Sequence, residues 1–501
     1  MHKATKSLNA VTGSPLIWIA AFQVLLTLVA LGRAKVLAIL LSPSGFGVVA
    51  TIDQIIMTVV QLGALGMPFA SLKYMALAHS ESEAEFQRVA AGFSKAILGV
   101  SFLSALVLLL ILQYRPAWIG AELAPYLSYL KLAALCVPAA MLAILSTHTL
   151  AAAQKPVSAA AMNFAVAFSL AVGAIVGVAI DGLNGLYAGT AIAGLLNTVA
   201  SALILHKSVG VSWLTRRRGD GGFIDALRRF PASAAFYLTM VSSALAMFVV
   251  RYFALAELGE TSAGLMQGAM SIALTTGAIL MPLINLYLIP ILNRSTTPID
   301  KELSCEKFLI GIFPFMILTI IPLVCFPHLV LTILYTSEFS PAAYLLFGFI
   351  IWQCLTQISY IYQHLLIGLD DIAWVTGMAL VGFGASGLLA ALLIPSIGLI
   401  GAPAAMSIGM AIYSVAILAR LKWGHGITVT FQVHSRAAWM VAVTIVGGVL
   451  FMRGTEFSLT GFGARGLFAV ICLALTWLLF VRGDESAKAL LQRLAGRRRS
   501  V

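Results

Sequence analysis

The sequence predicts an all-α, polytopic membrane protein of about 14 transmembrane helices. We expect two six-helix lobes related by a parallel pseudo-two-fold axis, plus two extra C-terminal helices. Composition, the spacing of apolar segments and an internal repeat predict this fold. The 501 residues are 60% hydrophobic and 10% charged, with a mean hydropathy of +0.99. Such a chain has too few polar groups to cover a surface in water.

Apolar segments long enough to span a bilayer follow one another along the whole chain. The predicted spans are residues 14–40, 46–70, 89–112, 123–150, 156–180, 183–205, 231–256, 261–292, 306–332, 340–367, 372–395, 398–421, 436–453 and 462–481. The first span carries Arg33 and Lys35 near its end and has no cleavage-site pattern after it. We therefore interpret it as a retained helix rather than a signal peptide.

Positive charge lies mainly on one side of the predicted membrane. Of the 31 Lys and Arg residues, 23 fall in the loops and termini of one side, and only Arg115, Arg453 and Arg465 fall on the other. The positive-inside rule places the basic side in the cytoplasm, together with both termini. We therefore interpret the net charge of +12 as a topology signal that can also attract anionic membrane lipids, and not as nucleic-acid binding.

An internal repeat relates the first six spans to the next six. Its matches are Leu41–Val48 with Leu258–Leu265 at an offset of 217, Gly182–Gly189 with Gly398–Ala405 at 216, and Gln154–Lys155 with Asp370–Asp371 at 216. Since six is even, both copies start on the cytoplasmic side, and duplication of this kind is typical of transporters. The predicted domains are an N-terminal lobe at 1–206, a basic cytoplasmic linker at 207–230, a C-terminal lobe at 231–422, and two helices with a basic tail at 423–501.

Charged residues inside the spans are candidate functional residues, because a charge in the bilayer is costly. Those at least five positions from either end of a span are Arg33, Lys35, Asp53, Lys95, Lys131 and Arg251. Arg33 and Arg251 lie 14 and 13 residues before Gly47 and Gly264, at nearly equivalent places in the two copies. We therefore predict that both arginines face a central cavity and bind substrate.

Lys35 and Lys131 are predicted to be weaker substrate contacts, although either side chain could instead extend to the membrane surface. Asp53 is the one acidic residue among those well inside a predicted span, and its repeat partner is Met270. Two roles stay open for Asp53. It could take part in ion coupling, or it could pair with Arg33, which would leave Arg251 as the main substrate-facing cation.

Catalytic, metal and cofactor motifs are absent from the sequence. It has no phosphate-binding glycine loop ending in Lys-Ser/Thr and no His-Glu-x-x-His, and its five cysteines lack metal or redox spacing. We therefore predict a protein that is not an enzyme and has no cofactor and no metal. Uncharged polar residues within the spans could bond neighbouring helices or line a wet cavity. They are Gln23, Gln54, Gln61, His148, Asn163, Asn197, Gln267, Asn285, Gln353, Gln357 and His364.

Arg33 and the Leu-Leu-Ser-Pro-Ser-Gly-Phe-Gly stretch that ends at Gly47 resemble a signature of the polysaccharide transporter family. These proteins are the lipid-linked oligosaccharide flippases of the multidrug/oligosaccharidyl-lipid/polysaccharide superfamily. The Gly-Leu-x-Gly openings of spans 6 and 12 and the break at Gln154–Pro156 fit the same pattern. Where the family usually has acidic residues after the first helix, this chain has Ser44 and Gly45.

The resemblance implies two lobes that form a V around a central cavity. It also implies movement of an undecaprenyl-diphosphate-linked glycan to the outer leaflet of a bacterial inner membrane, for O-antigen, capsule or exopolysaccharide synthesis. A polysaccharide polymerase and glycosyltransferases would be its partners, and we expect a monomer. A cavity lined by Arg and Lys would lower the barrier for the diphosphate.

Three alternatives stay open. A lipid II flippase would share the fourteen helices and a cationic cavity. A cation-coupled multidrug exporter would need an acidic cavity, whereas the charged residues well inside the spans are five basic and one acidic. A membrane glycan polymerase or ligase would need a sizeable extracytoplasmic loop, and the predicted outer loops are short.

Overall fold

Long apolar helices form the protein. Its computed structural model describes residues 2–211, 234–284, 288–295, 297–428, 431–451 and 458–477, and the secondary structure of these residues is helical without strands. Within them, seven helices are long and apolar enough to cross a membrane, or eight if one bent pair counts as a single span.

Contacts between Cα atoms divide the chain into two units, Met1–Thr261 and Ser262–Val501. The helices of the first unit are α1 (His2–Ala64), α2 (Met67–Glu81), α3 (Glu83–Tyr114), α4 (Leu127–Ala134), α5 (Cys136–Ala152), α6 (Pro156–Val209) and the first arm of α7 (Ala234–Leu283). Those of the second unit are the rest of α7, α8 (Ile289–Arg294), α9 (Pro298–Cys325), α10 (Pro327–Leu334), α11 (Ala343–Gly368), α12 (Ile372–Ile397), α13 (Gly401–His425), α14 (Phe431–Phe451) and α15 (Leu459–Thr476).

Several predicted loops between spans are breaks of one or two residues. Non-helical backbone interrupts α1 at Ser42, α6 at Asp181 and Gly182, and α7 at Gly259. A short 3-10 turn that begins at Gly398 separates α12 from α13. When these elements are divided at their breaks, the described helices supply the fourteen predicted spans. The prediction of an all-α protein with about 14 transmembrane helices is therefore confirmed.

The repeat offset recurs in the backbone. Four pairs of residues with positive φ are 216 or 217 positions apart: Ser42 (54°) with Gly259 (82°), Gln154 (56°) with Asp370 (64°), Gly182 (52°) with Gly398 (70°), and Gly210 (66°) with Gly426 (69°). L side chains rarely adopt this conformation, so agreement at four places supports a duplicated helical unit. The domain limits 1–206, 207–230, 231–422 and 423–501 remain predictions.

Glycines allow the two arms of α6 to pack at close range. A Cβ atom on Gly177 would overlap the carbonyl oxygen of Gly185, and a Cβ on Gly189 would overlap the carbonyl oxygen of Gly173. Both pairs are centred on Asp181, where the backbone breaks. The element is therefore a tight helical hairpin, which agrees with the predicted pair of antiparallel spans.

An arginine attaches the first C-terminal helix to α9. Pro314 lies inside α9 and has no N–H, so the carbonyl of Ile310, four residues earlier, lacks its usual helical donor. Arg436 is buried in α14 and donates to this carbonyl over 2.6 Å. The bond satisfies a main-chain acceptor that water cannot reach in a membrane.

A second arginine bonds the ends of both helices. Arg465, three residues inside the predicted span 462–481 and counted with the outer charges, is only 1% exposed within α15. It donates to the carbonyls of Cys325 and Phe451, over 2.7 and 2.9 Å, at the last residues of α9 and α14. A guanidinium carries several donors and complements the negative ends of two helix dipoles, which explains its burial.

Candidate functional site

The unit Met1–Thr261 contains a cavity of about 380 Å³ between α1, α4, α5 and α6. Its walls are mainly alanine and larger aliphatic residues, which leave room because alanine side chains are short. The polar residues that line it are Arg33, Asp53, Tyr187, Thr190 and Asn197. The cavity is therefore apolar with a charged pair at one place in its wall.

The charged pair is formed by residues on opposite arms of α1. Arg33 Nη2 lies 3.4 Å from Asp53 Oδ2. In a continuous helix, 20 residues would separate these positions by about 30 Å. The break at Ser42 must therefore turn the chain back, and this brings the two side chains together. Both are partly accessible, with 33% of the Arg33 side chain and 40% of the Asp53 side chain exposed.

Tyr187 holds the other oxygen of the carboxylate. Its hydroxyl donates to Asp53 Oδ1 over 3.3 Å, and Val49 O lies 3.4 Å from the same hydroxyl. Tyr187 is 2% exposed on the second arm of α6. Asp53 is thus held by two different helices besides its own arm.

Arg251 bonds the residue that follows Asp53. Its Nη1 donates to Gln54 Oε1, and the amide nitrogen of Gln54 donates to Ala244 O over 3.0 Å. Farther along the same contact, Tyr237 donates to Leu62 O over 2.9 Å. The first arm of α7 therefore runs antiparallel to the second arm of α1, and Arg251 reaches the turn of helix that carries Asp53.

The two lysines lie elsewhere in the unit. Lys131 is half-buried on α4 and donates to Gln113 Oε1 over 2.8 Å. Lys35 is half-buried on the first arm of α1. Of the five predicted site residues, Arg33 and Asp53 line the cavity described above, whereas its lining does not include Lys35, Lys131 or Arg251. The predicted substrate-binding role of the four cations remains a prediction.

Two residues that contribute to this site were not among the predicted site residues. Tyr187 was not singled out, because a tyrosine that follows Gly-Leu-Asn-Gly-Leu has no pattern that marks it as a carboxylate partner. Gln54 was included only among many polar residues, although its place next to Asp53 was a usable signal. Asn197, also among those residues, lines the cavity and accepts from Ser169 over 2.8 Å. Asn285 lies outside the described residues.

No protein-family model matches the chain. A protein of Escherichia coli (strain K12) described as a lipid III flippase is 26% identical over 399 residues, which cover 77% of this chain and 92% of that protein. A lipid II flippase MurJ in an inward closed conformation has a TM-score of 0.62 at 14% identity, covering 93% of this chain and 99% of that one.

A second solved structure is an inward-facing multidrug resistance MATE family transporter of the MOP superfamily. Its TM-score is 0.63 at 13% identity, and the match covers 84% of this chain and 99% of that chain. At such low identity the two structures establish the fold alone. This multi-pass membrane protein shares the fold of these two solved structures.

Proposed function

We propose that the protein is a flippase that moves an undecaprenyl-diphosphate-linked oligosaccharide or polysaccharide repeat unit across the bacterial inner membrane. It would work by alternating access through a cationic central cavity and serve O-antigen, capsule or exopolysaccharide synthesis. The observation that carries the proposal is the excess of five basic over one acidic residue well inside the spans of a fold shared with a MOP superfamily transporter. The 26% identity to a lipid III flippase supports the same class of substrate.

The chemistry of such a substrate requires this charge pattern. A diphosphate that leaves water must find positive partners, because an unpaired charge in a low-dielectric medium is costly. Arg251 would hold the diphosphate, with Lys35 and Lys131 as weaker contacts. The polyprenyl chain can stay in the lipid, so the protein need only shield the head group and the glycan.

In this proposal, the Arg33–Asp53 pair would couple transport of the substrate to binding of a cation. Asp53 competes with an anionic substrate for the guanidinium of Arg33, 3.4 Å away. A cation bound at Asp53 would release Arg33 for the substrate. Binding of the cation and binding of the diphosphate would then strengthen each other by the same factor.

We further propose a monomer in the bacterial inner membrane with both termini in the cytoplasm. Polysaccharide polymerase and glycosyltransferases would supply and use its substrate, and the protein itself would not be an enzyme. A lipid II flippase is the second candidate, because the likeness to a solved lipid II flippase covers 93% of this chain.

Reconstitution of the full chain into vesicles tests the proposal. Lipid-linked oligosaccharide and lipid II, each with a labelled glycan, are placed in the inner leaflet, and the label that becomes accessible outside is followed over time. We expect the lipid-linked oligosaccharide to be moved faster than lipid II. Faster movement of lipid II would establish the second candidate, and export of cationic drugs without movement of either lipid would contradict both.

A further inference from the structure

Gln54 occupies the contact between the second arm of α1 and the first arm of α7. The residue is 7% exposed, so water does not satisfy its amide. Its Oε1 accepts from Arg251, and its Nε2 donates to Ala244 O over 3.0 Å. Thr58 Oγ1 lies 3.4 Å from the same nitrogen and donates to Gln54 O over 2.8 Å.

The two main partners of Gln54 make opposite demands. The guanidinium of Arg251 can only donate, and the carbonyl of Ala244 can only accept. A side chain between them must therefore accept at one atom and donate at another, which a neutral amide does. An ionised glutamate would set an oxygen against the Ala244 carbonyl, and a leucine would satisfy neither group. The bonding partners thus fix which end of the amide faces Arg251.

Asp53 and Gln54 are neighbours on the second arm of α1, and they give Arg33 and Arg251 different kinds of partner. Asp53 gives Arg33 a carboxylate at 3.4 Å, whereas Gln54 gives Arg251 a neutral amide, which orients the guanidinium and adds no negative charge of its own. A group that orients a cation while preserving its charge suits a site for an anion. A carboxylate in the same place would compete with that anion.

We propose that Gln54 is a positioning residue, which holds the guanidinium of Arg251 in the orientation that binds the diphosphate of an isoprenoid-linked substrate. The inference rests on the proposed function, since it assumes that this protein binds such a diphosphate. Gln54 acts through Arg251 and need not touch the substrate.

The test measures binding of geranylgeranyl diphosphate to the purified full chain, by the shift of thermal unfolding with ligand concentration. Geranylgeraniol, which has the same chain without the charges, separates binding of the head group from binding of the chain. Gln54→Leu should raise the apparent Kd for the diphosphate about ten-fold, as expected for loss of one hydrogen bond to a charged group, and leave the Kd for the alcohol unchanged. Gln54→Glu should weaken diphosphate binding at least as much.

Gln54→His provides a conservative rescue. A neutral imidazole also accepts at one nitrogen and donates at the other, so this variant should keep more diphosphate binding than Gln54→Leu or Gln54→Glu. If the leucine variant does not fold, the difference in diphosphate Kd between Gln54→His and Gln54→Glu still tests the inference.

Gln363→Leu is the matched control. Gln363 is also 7% exposed and lies in the unit Ser262–Val501. Its amide oxygen accepts from the hydroxyl of Tyr413 over 3.0 Å, so the donor in this bond is a tyrosine and not an arginine. Its substitution should lower the unfolding temperature and leave the diphosphate Kd unchanged. The inference is wrong if Gln54→Leu binds the diphosphate like the wild type, or if it weakens diphosphate and alcohol equally. A wild-type protein that does not prefer diphosphate to alcohol would instead contradict the proposed function.

Discussion

Asp53 Oδ2 lies 3.4 Å from Arg33 Nη2, and the hydroxyl of Tyr187 donates to the other oxygen of the same carboxylate. Three helix arms therefore meet at one acidic side chain in the wall of a mainly apolar cavity. The neighbouring Gln54 bonds Arg251, so one turn of helix contacts both of the arginines that are predicted to bind substrate. Changes at this turn should alter anion binding in directions set by charge.

Asp53→Asn should tighten binding of an isoprenoid diphosphate. The substitution removes the carboxylate that competes for Arg33, so the apparent Kd for geranylgeranyl diphosphate should fall by about ten-fold. Transport should become slower, because release of a tightly held anion then limits the cycle. Thermal-shift titration measures the first effect and a vesicle assay the second.

Asp300→Asn is the control for that change, because Asp300 is exposed in the first turn of α9. It should affect neither measurement. An Asp53→Asn protein that binds the diphosphate no more tightly than the wild type would show that the carboxylate does not compete with substrate.

Arg251→Ala should abolish export of the glycan without loss of the protein from the membrane. Removing the guanidinium removes the charge that we expect to hold the diphosphate, whereas Arg251→Lys keeps the charge and should retain part of the activity. Surface glycan in cells that depend on this protein is the readout, with the amount of membrane-inserted protein measured in parallel. Export by Arg251→Ala at the wild-type rate would refute the electrostatic proposal.

The helical content of the fold could be predicted from the sequence, and the exact form of its turns could not. Hydropathy locates each apolar segment independently of the residues that connect it to the next one. The sequence therefore predicts separate spans on either side of Ser42. A break of one residue carries almost no compositional signal, and Ser42 adopts the same backbone region as its repeat partner Gly259 without being a glycine.

The candidate site was predictable only where charge marks it. Arg33, Asp53 and Arg251 stood out because ionised groups are rare within spans. Tyr187 did not, since its role depends on which helix packs against α1. The bonds of Arg465 could not be predicted either, because the positive-inside rule counts charges and does not show that a buried guanidinium bonds the carbonyl ends of two helices.

Asp371 should make the stability of the protein depend on pH in acid. Hydrogen bonds from Arg420, over 2.5 Å, and from His425, over 3.0 Å, hold the pKa of this carboxyl below its ordinary value, with Arg420 the larger cause. The folded state therefore binds the proton more weakly than the unfolded state does. The stabilisation is present above the ordinary carboxyl pKa near 4 and is lost as the pH falls through the lowered value.

Unfolding temperatures of the wild type and of Asp371→Asn, measured from about pH 6 to pH 3, check this effect. The gap between the two proteins should close as the pH falls. Asp370→Asn is the matched control, because Asp370 is the exposed neighbour and asparagine tolerates its positive φ of 64°. A gap that stays constant over the whole range would mean that the ionised form of Asp371 does not stabilise the fold.

Arg465→Met should loosen the two C-terminal helices. Methionine keeps much of the side-chain volume but leaves the carbonyls of Cys325 and Phe451 without this donor, at a cost of about 3 kcal/mol. Arg436, near the start of α14, bonds Ile310 O in the middle of α9, so we expect the helices to separate first at the Arg465 end. The measurement is the rate at which the native thiol of Cys325, which is buried at this end of α9, reacts with a membrane-permeant maleimide, followed by mass spectrometry of the peptide that carries it. This rate should rise in Arg465→Met and stay unchanged in Arg115→Met, since Arg115 is exposed at the end of α3. Equal rates in both variants would show that the bonds from Arg465 do not hold α14 and α15 against α9.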